Sequence, residues 1–210
     1  MDPPDRPAAC PAPPPAPVVL VNGLPGAGKS TLARALSRRL RLPLLSKDVI
    51  KEAHADVLGS EAPDGGPQRR WNSALGAAAS GTMWALLADA PGGAVLESCW
   101  LADVRHHVLA GLRGADAAHP LEIWCEVPYG IVRERFAERH PRQHPIHGRP
   151  MDEAEWEQRR RLAEPLGICC TLRVDTGGPV DLERVVGWIG RNAERCAPEQ
   201  GPTVVRRARG

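Results

Sequence analysis

Gly23, Gly28, Lys29 and Ser30 fit the pattern G-x-x-x-x-G-K-[ST] within the stretch NGLPGAGKST at 22–31. Residue types in that order point to the binding of a triphosphate. Glycines let the backbone curl until successive N–H groups face one anion. A lysine adds a compact positive charge for the β and γ phosphates, and the following hydroxyl is a ligand for Mg2+. The sequence therefore predicts a cradle built from Gly23, Leu24, Pro25, Gly26, Ala27 and Gly28, continued by Lys29, Ser30 and Thr31. The expected cofactors are a nucleoside triphosphate, ATP, and Mg2+, with Ser30 on the metal. The apolar run PVVLV precedes it and LARALSRRLRL follows, so a strand hands over to a helix whose positive end adds to the site.

Lysine usage marks a second half of the site. Of 27 basic residues only Lys29, Lys47 and Lys51 are lysine, and a chain this rich in arginine keeps lysine where a point charge is needed. Two of the three lie in SKDVIKE at 46–52, around Asp48. A capped helix start is the plainer reading of the same residues.

These groups need a scaffold that brings them together. A chain of 210 residues with 42% hydrophobic and 25% charged residues suits one domain with a real core. Its net charge of +2 gives no broad basic field, which argues against nucleic acid as a partner. No apolar run reaches membrane-span length and no signal core is present, so no membrane partner and a cytoplasmic location are expected. The six cysteines form no CxxC pair and are expected as reduced thiols. Residues 1–17 are proline-rich and read as a disordered leader, and 198–210 as a flexible tail. Between them, 18–197 form a single domain. Five short Val/Leu/Ile-rich runs (VVLVN, PLLS, GAVLESC, LEIWCEV and CCTLRVDT) alternate with helical segments, which predicts an α/β fold with a five-stranded parallel sheet covered on both faces. Such sheets bind ligands at the carboxyl ends of their strands.

GLPGAGKST followed by SKDVIK resembles the P-loop kinases related to polynucleotide kinase, chloramphenicol phosphotransferase and the zeta toxins, in the nucleoside and nucleotide kinase-like group of AAA-type ATP-binding proteins. The resemblance implies a three-layer α/β/α sandwich with a lid segment. It also implies that Asp48 is the general base toward the acceptor hydroxyl and that Lys51 anchors the acceptor, with Lys29 on the transferring phosphate. CEVPYGIVRERFAERH is similar to the strand-to-lid segment of adenylate kinase and its relatives. That similarity places Arg135 near the adenine and makes Arg139 a catalytic contact to the phosphates. Their i, i+4 spacing puts both on one helix face, which by itself is more often a solvated face. VDTGGP resembles the adenine-side loop of these kinases and places Thr176 in it.

The stretch HPRQHPIHGRPM fits a lid at about 140–152, with Arg142 and Arg149 as added charge. Prolines between His140, His144 and His147 argue against a metal site there. AVLESCW puts Glu97 and Trp100 at the sheet edge. Glu97 either orients a magnesium-bound water, bonds the acceptor, or is a satisfied strand-end acid. Trp71, Trp84 and Trp100 either wall an acceptor pocket or pack in the core.

The expectation is an ATP-dependent phosphotransferase acting on a hydroxyl of a small-molecule acceptor such as a nucleoside, sugar or antibiotic. The alternatives are a polynucleotide 5'-hydroxyl kinase and a non-transferring P-loop ATPase or nucleotide switch. No N-K-x-D guanine motif supports a GTPase switch, and AVLES lacks the Asp-Glu ending of motor ATPases.

Overall fold

A computed structural model of the chain describes residues 17–193. The proline-rich leader, apart from Pro17, and the C-terminal tail lie outside the described residues, as does the domain end at 194–197. Five strands form one sheet in the order β2-β3-β1-β4-β5: β1 Val18–Asn22, β2 Leu44–Ser46, β3 Ala94–Glu97, β4 Pro120–Glu126 and β5 Cys170–Asp175. Every pairing is parallel. β1, β3 and β4 are near-continuous runs of buried residues because helices cover both faces, whereas the edge strand β5 buries only Val174.

Side chains alternate across the sheet and split the core in two. Val19, Val21, Leu121 and Ile123 point toward α1 (Lys29–Leu40), α5 (Tyr129–Arg139), α6 (Glu153–Arg161) and α7 (Leu182–Ala193). Val18, Leu20, Ala94 and Leu96 point toward α3 (Gln68–Ala88) and α4 (Arg105–Gly114). The helix α2 (Lys47–Leu58) runs from the end of β2 and packs on α3. The result is a three-layer α/β/α sandwich, as the sequence leads one to expect.

Segment 140–152 is two single turns of 3-10 helix, His140–Arg142 and Pro145–His147, between α5 and α6. Ile146 sits at its centre with no exposed surface, packed with Ala55, Leu75 and Trp71. The segment then hands over to α6 through a capping box in which Asp152 and Glu155 satisfy each other's backbone N–H groups.

Three of the cysteines are free: Cys99, Cys125 and Cys169. Cys170, at the start of the edge strand, is disulfide-bonded, against the expectation of reduced thiols. Burial pushes the thiols of Cys125 and Cys169 up to about 12, which keeps both protonated at neutral pH.

Candidate active site

The glycine-rich loop leaves β1 at Asn22 and enters α1 at Lys29. Gly23, Gly26 and Gly28 have φ of 140°, 92° and 81°, the left-handed region where glycine is the ready choice. Space adds a second requirement at Gly23, where a Cβ would stand 2.7 Å from the Cys125 carbonyl oxygen. Lys29 is buried, and its Nζ donates to the Leu24 carbonyl at 2.9 Å, so the ammonium is folded over the loop it belongs to. A bare loop of positive-φ glycines, capped by a buried lysine and followed by a helix, fits a triphosphate. Ala27 and Leu24 close the loop by a backbone bond, Ala27 N–H to Leu24 C=O at 3.0 Å.

Parallel pairing puts Ser46 directly opposite Glu97. Glu97 is buried at 3% exposure, and its two oxygens are both used. Oε1 accepts from Ser30 Oγ at 3.1 Å, and Oε2 accepts from Ser46 Oγ at 2.6 Å. This carboxylate therefore ties the first turn of α1 to the last residue of β2. A hydroxyl and a carboxylate side by side are hard oxygen donors of the kind Mg2+ takes. Among the described residues no group of three or more His, Cys, Asp or Glu side chains forms a metal site.

Just past Ser46, Asp48 lies in the first turn of α2. It borders an open cleft of about 370 Å3 together with Pro25 of the phosphate loop, Lys51, Arg139 and Arg159. The sequence-predicted base, acceptor anchor and lid arginine thus face one space. Burial lowers the Lys51 pKa, while the nearby Asp48 carboxylate acts the other way. Arg139 is held by Gln143, whose amide oxygen, turned toward it, accepts from Nε and Nη2 at 2.9 Å.

Arg135 faces a different cavity. Its guanidinium donates to the carbonyls of Thr176 and Gly177 at 3.0 and 2.8 Å. With Gly26, Gly28, Thr31 and Thr176 it borders a space of about 540 Å3 on the other side of the loop. Thr176 Oγ1 in turn donates to the Ala27 carbonyl at 2.7 Å. The two arginines of one helix therefore serve opposite sides of the phosphate loop, Arg139 toward Asp48 and Arg135 toward the VDTGGP loop.

Trp100 is placed apart from this set. It is buried, stacks on Trp84 at 6.3 Å between ring centroids, and does not border the cleft. Its backbone explains why: the Asn22 side chain accepts from Trp100 N–H and donates to its carbonyl, both at 2.9 Å. That clamp directs the chain after β3 inward and carries the indole into the core.

Three residues that the sequence reading passed over matter here. Asn22 has no exposed surface, caps Gly23 N–H at 2.7 Å, and donates to Glu122 at 2.9 Å. Its signal is an amide in the last position of an apolar strand, directly before the motif. Glu122, buried on β4, also accepts from Leu166 N–H and Thr171 Oγ1. Burial raises its pKa, opposed by its hydrogen bonds to Asn22, Thr171 and Leu166. Arg159 is the third, hidden in the run EQRRRL, and its signal is the three-residue spacing from buried Trp156.

The fold and the loop define the class: a P-loop α/β protein with a kinase-like sandwich. Residues 18–166 match the family described as AAA domain, and the chain belongs to that family. A provisionally named kinase from Chloroflexus aurantiacus j-10-fl is 28% identical with a TM-score of 0.69, over 85% of this chain and 98% of that one. Shikimate kinase from Acinetobacter baumannii, in complex with shikimate, is 14% identical with a TM-score of 0.56, over 85% and 96%. Chaetomium thermophilum Kti12, in complex with ADP-AlF3, is 17% identical with a TM-score of 0.54, over 84% and 99%. No curated protein matches the chain. Among the described residues no helix is long and apolar enough to cross a membrane.

Proposed function

We propose that the protein transfers the γ-phosphate of ATP to a hydroxyl of a small-molecule acceptor. One observation carries the reading: Asp48 shares a cleft with Pro25 of the phosphate loop, and the Ser46–Glu97–Ser30 chain of hydrogen bonds fixes the strand before Asp48 to the helix after that loop. A carboxylate at that place can take the proton of an incoming hydroxyl, and the open cleft beside it gives an acceptor larger than water somewhere to sit.

The residues then divide the work. The loop N–H groups at Leu24, Gly26 and Gly28, not spent on Asn22 or on the loop's own turn, hold the β and γ phosphates with Lys29, and Arg139 takes charge that develops on the transferring group. Arg135, Thr176 and Thr31 line the side where the nucleoside lies. Asp48 accepts the proton of the acceptor hydroxyl, the freed oxygen bonds to the γ phosphorus, and the bond from that phosphorus to the ADP oxygen breaks. Ser30 and Glu97 would hold Mg2+, which supplies charge neutralisation across the phosphates. Lys51 positions the acceptor. Kinases of hydroxy acids and sugars occur among the proteins of similar fold, gluconokinase from Sinorhizobium meliloti 1021 being one, and support an alcohol acceptor.

The test is incubation with γ-labelled ATP, Mg2+ and a panel of nucleosides, sugars, hydroxy acids, aminoglycosides and oligonucleotides. Label on a small-molecule alcohol is the expected result. Label on an oligonucleotide end would transfer the reading to a polynucleotide kinase, and ADP without any labelled acceptor would transfer it to an ATPase.

A further inference from the structure

The cleft beside Asp48 holds an excess of positive charge. Lys47, Lys51, Arg139, Arg149 and Arg159 border it with His147, against only the carboxylates of Asp48 and Asp103. Of the three arginines that border the cleft, Arg139 is held by Gln143 and Arg149 is ion-paired, as are other arginines nearby on α5 and α6. Arg149 is shared by Asp152 and Glu155, Arg133 bonds Glu153, and Arg160 and Arg161 both bond Glu157. Arg159 lies on the same helix as these partners and among the described residues has no carboxylate within ion-pair distance. Its one polar contact is Nη1 to Cys99 Sγ at 4.0 Å, a weak acceptor.

The position of Arg159 is fixed by packing. Trp156, three residues earlier on α6, is buried between Tyr129 and Phe136, and that face of the helix carries Arg159 to the cleft wall, half-buried. Lys51 is similar: half-buried, with only a long bond to the Ile146 carbonyl at 3.5 Å. Arg159 is thus a cation partly withdrawn from water with no anion among the described residues in ion-pair distance, and Lys51 feels Asp48 and Glu52 without bonding either, so both lose hydration for little return. An anionic ligand supplies the missing partner. Past Arg149 and Arg159 the cleft continues into a second space of about 580 Å3 bordered by Arg69 and Asn72, at the end that holds no residue of the phosphate loop.

We propose that the acceptor is an anionic alcohol, and that Arg159 binds its carboxylate or phosphate group with Lys51 as the second cation. This rests on the phosphotransferase reading for the fate of the hydroxyl, whereas the preference for an anion is measured by binding alone. A guanidinium pairs in a fork with either group, so carboxylate and phosphate share the same chemistry here.

The experiment titrates the full chain, saturated with Mg2+ and a non-transferable ATP analogue so that the phosphate loop is filled. The probes are two matched sets: glycerol, glycerate and glycerol 3-phosphate, then xylitol, xylonate and xylitol 5-phosphate. The charged members are expected to bind about tenfold or more tightly than the neutral ones. Arg159→Gln should remove that advantage and Arg159→Lys keep part of it, with nucleotide-analogue affinity as the control for an intact fold. The charged member that leads identifies the group. Equal affinity across each set, no binding by either charged member, or an advantage that survives Arg159→Gln overturns the proposal. Analogue binding with an anion preference, but no transfer from ATP to any alcohol, counts against the phosphotransferase reading alone.

Discussion

Ser46 donates to Glu97 at 2.6 Å, across two neighbouring parallel strands, and so fixes the point from which Asp48 springs. The same carboxylate holds Ser30. The strand end before Asp48 and the first turn of α1 are therefore set by one buried acid. Glu97→Ala should leave two hydroxyls without their acceptor, at about 1–3 kcal/mol, or a fall in Tm of several degrees for a chain of this size. A thermal melt checks it; an unchanged Tm would mean that the two serines find other partners.

Lys29→Ala removes the ammonium folded over the loop. Turnover of ATP should fall by at least about a hundredfold, the usual loss when one main stabiliser of transition-state charge is deleted. Steady-state ADP release measures it.

Asp48→Asn keeps the shape and removes the carboxylate proposed as the base. ATP affinity by calorimetry should be unchanged, and transfer to the acceptor should drop about 10²–10⁴-fold. Full turnover in this variant would remove Asp48 from the chemistry.

Gly26→Ala tests the loop's packing. A Cβ there would collide with the Val132 carbonyl oxygen on α5, and the φ of 92° is strained for any side chain. Nucleotide affinity should fall more than it does for Gly178→Ala, whose added Cβ meets open space.

Glu122 gives a pH signature. Its pKa in the folded chain is raised by burial above the ordinary 4.5, so the folded state keeps a proton that the unfolded chain has released. The contribution is fully present below about 4.5 and is lost as pH rises through the folded value. Urea midpoints of wild type and Glu122→Gln, taken from about pH 4 to 8, should show wild type losing ground to the variant as pH rises. A constant difference from altered hydrogen bonding leaves that slope untouched, and a flat difference would place the titration elsewhere.

The cradle was legible because it is local: all its chemistry lies within 22–31, and strand and helix flank it in sequence. The central strands β1 and β3 were legible because burial on both faces makes each a continuous apolar run, and the edge strand β5 by its Leu and Val residues placed before a glycine turn. The dual grip of Glu97 was not, since it depends on the register that sets Ser46 beside it. Trp100 shows the same limit, for its inward course follows from the Asn22 clamp, made by residues far apart in the chain. Arg159 disappeared into a charged run whose members differ only in which carboxylates surround them. Ile146 carried no pattern, being one apolar residue among prolines and histidines.

That isoleucine has a kinetic consequence. It is wedged against Ala55, Leu75 and Trp71, and on either side of it His144 bonds Asp56 and His147 bonds Glu52 at 3.0 and 2.7 Å. Swinging this stretch outward wets an oily side chain and parts two polar latches in one motion. On the phosphotransferase proposal, entry of the second reactant and departure of its product are expected to be slow steps, and solutes that weaken apolar association should quicken turnover before they unfold the chain.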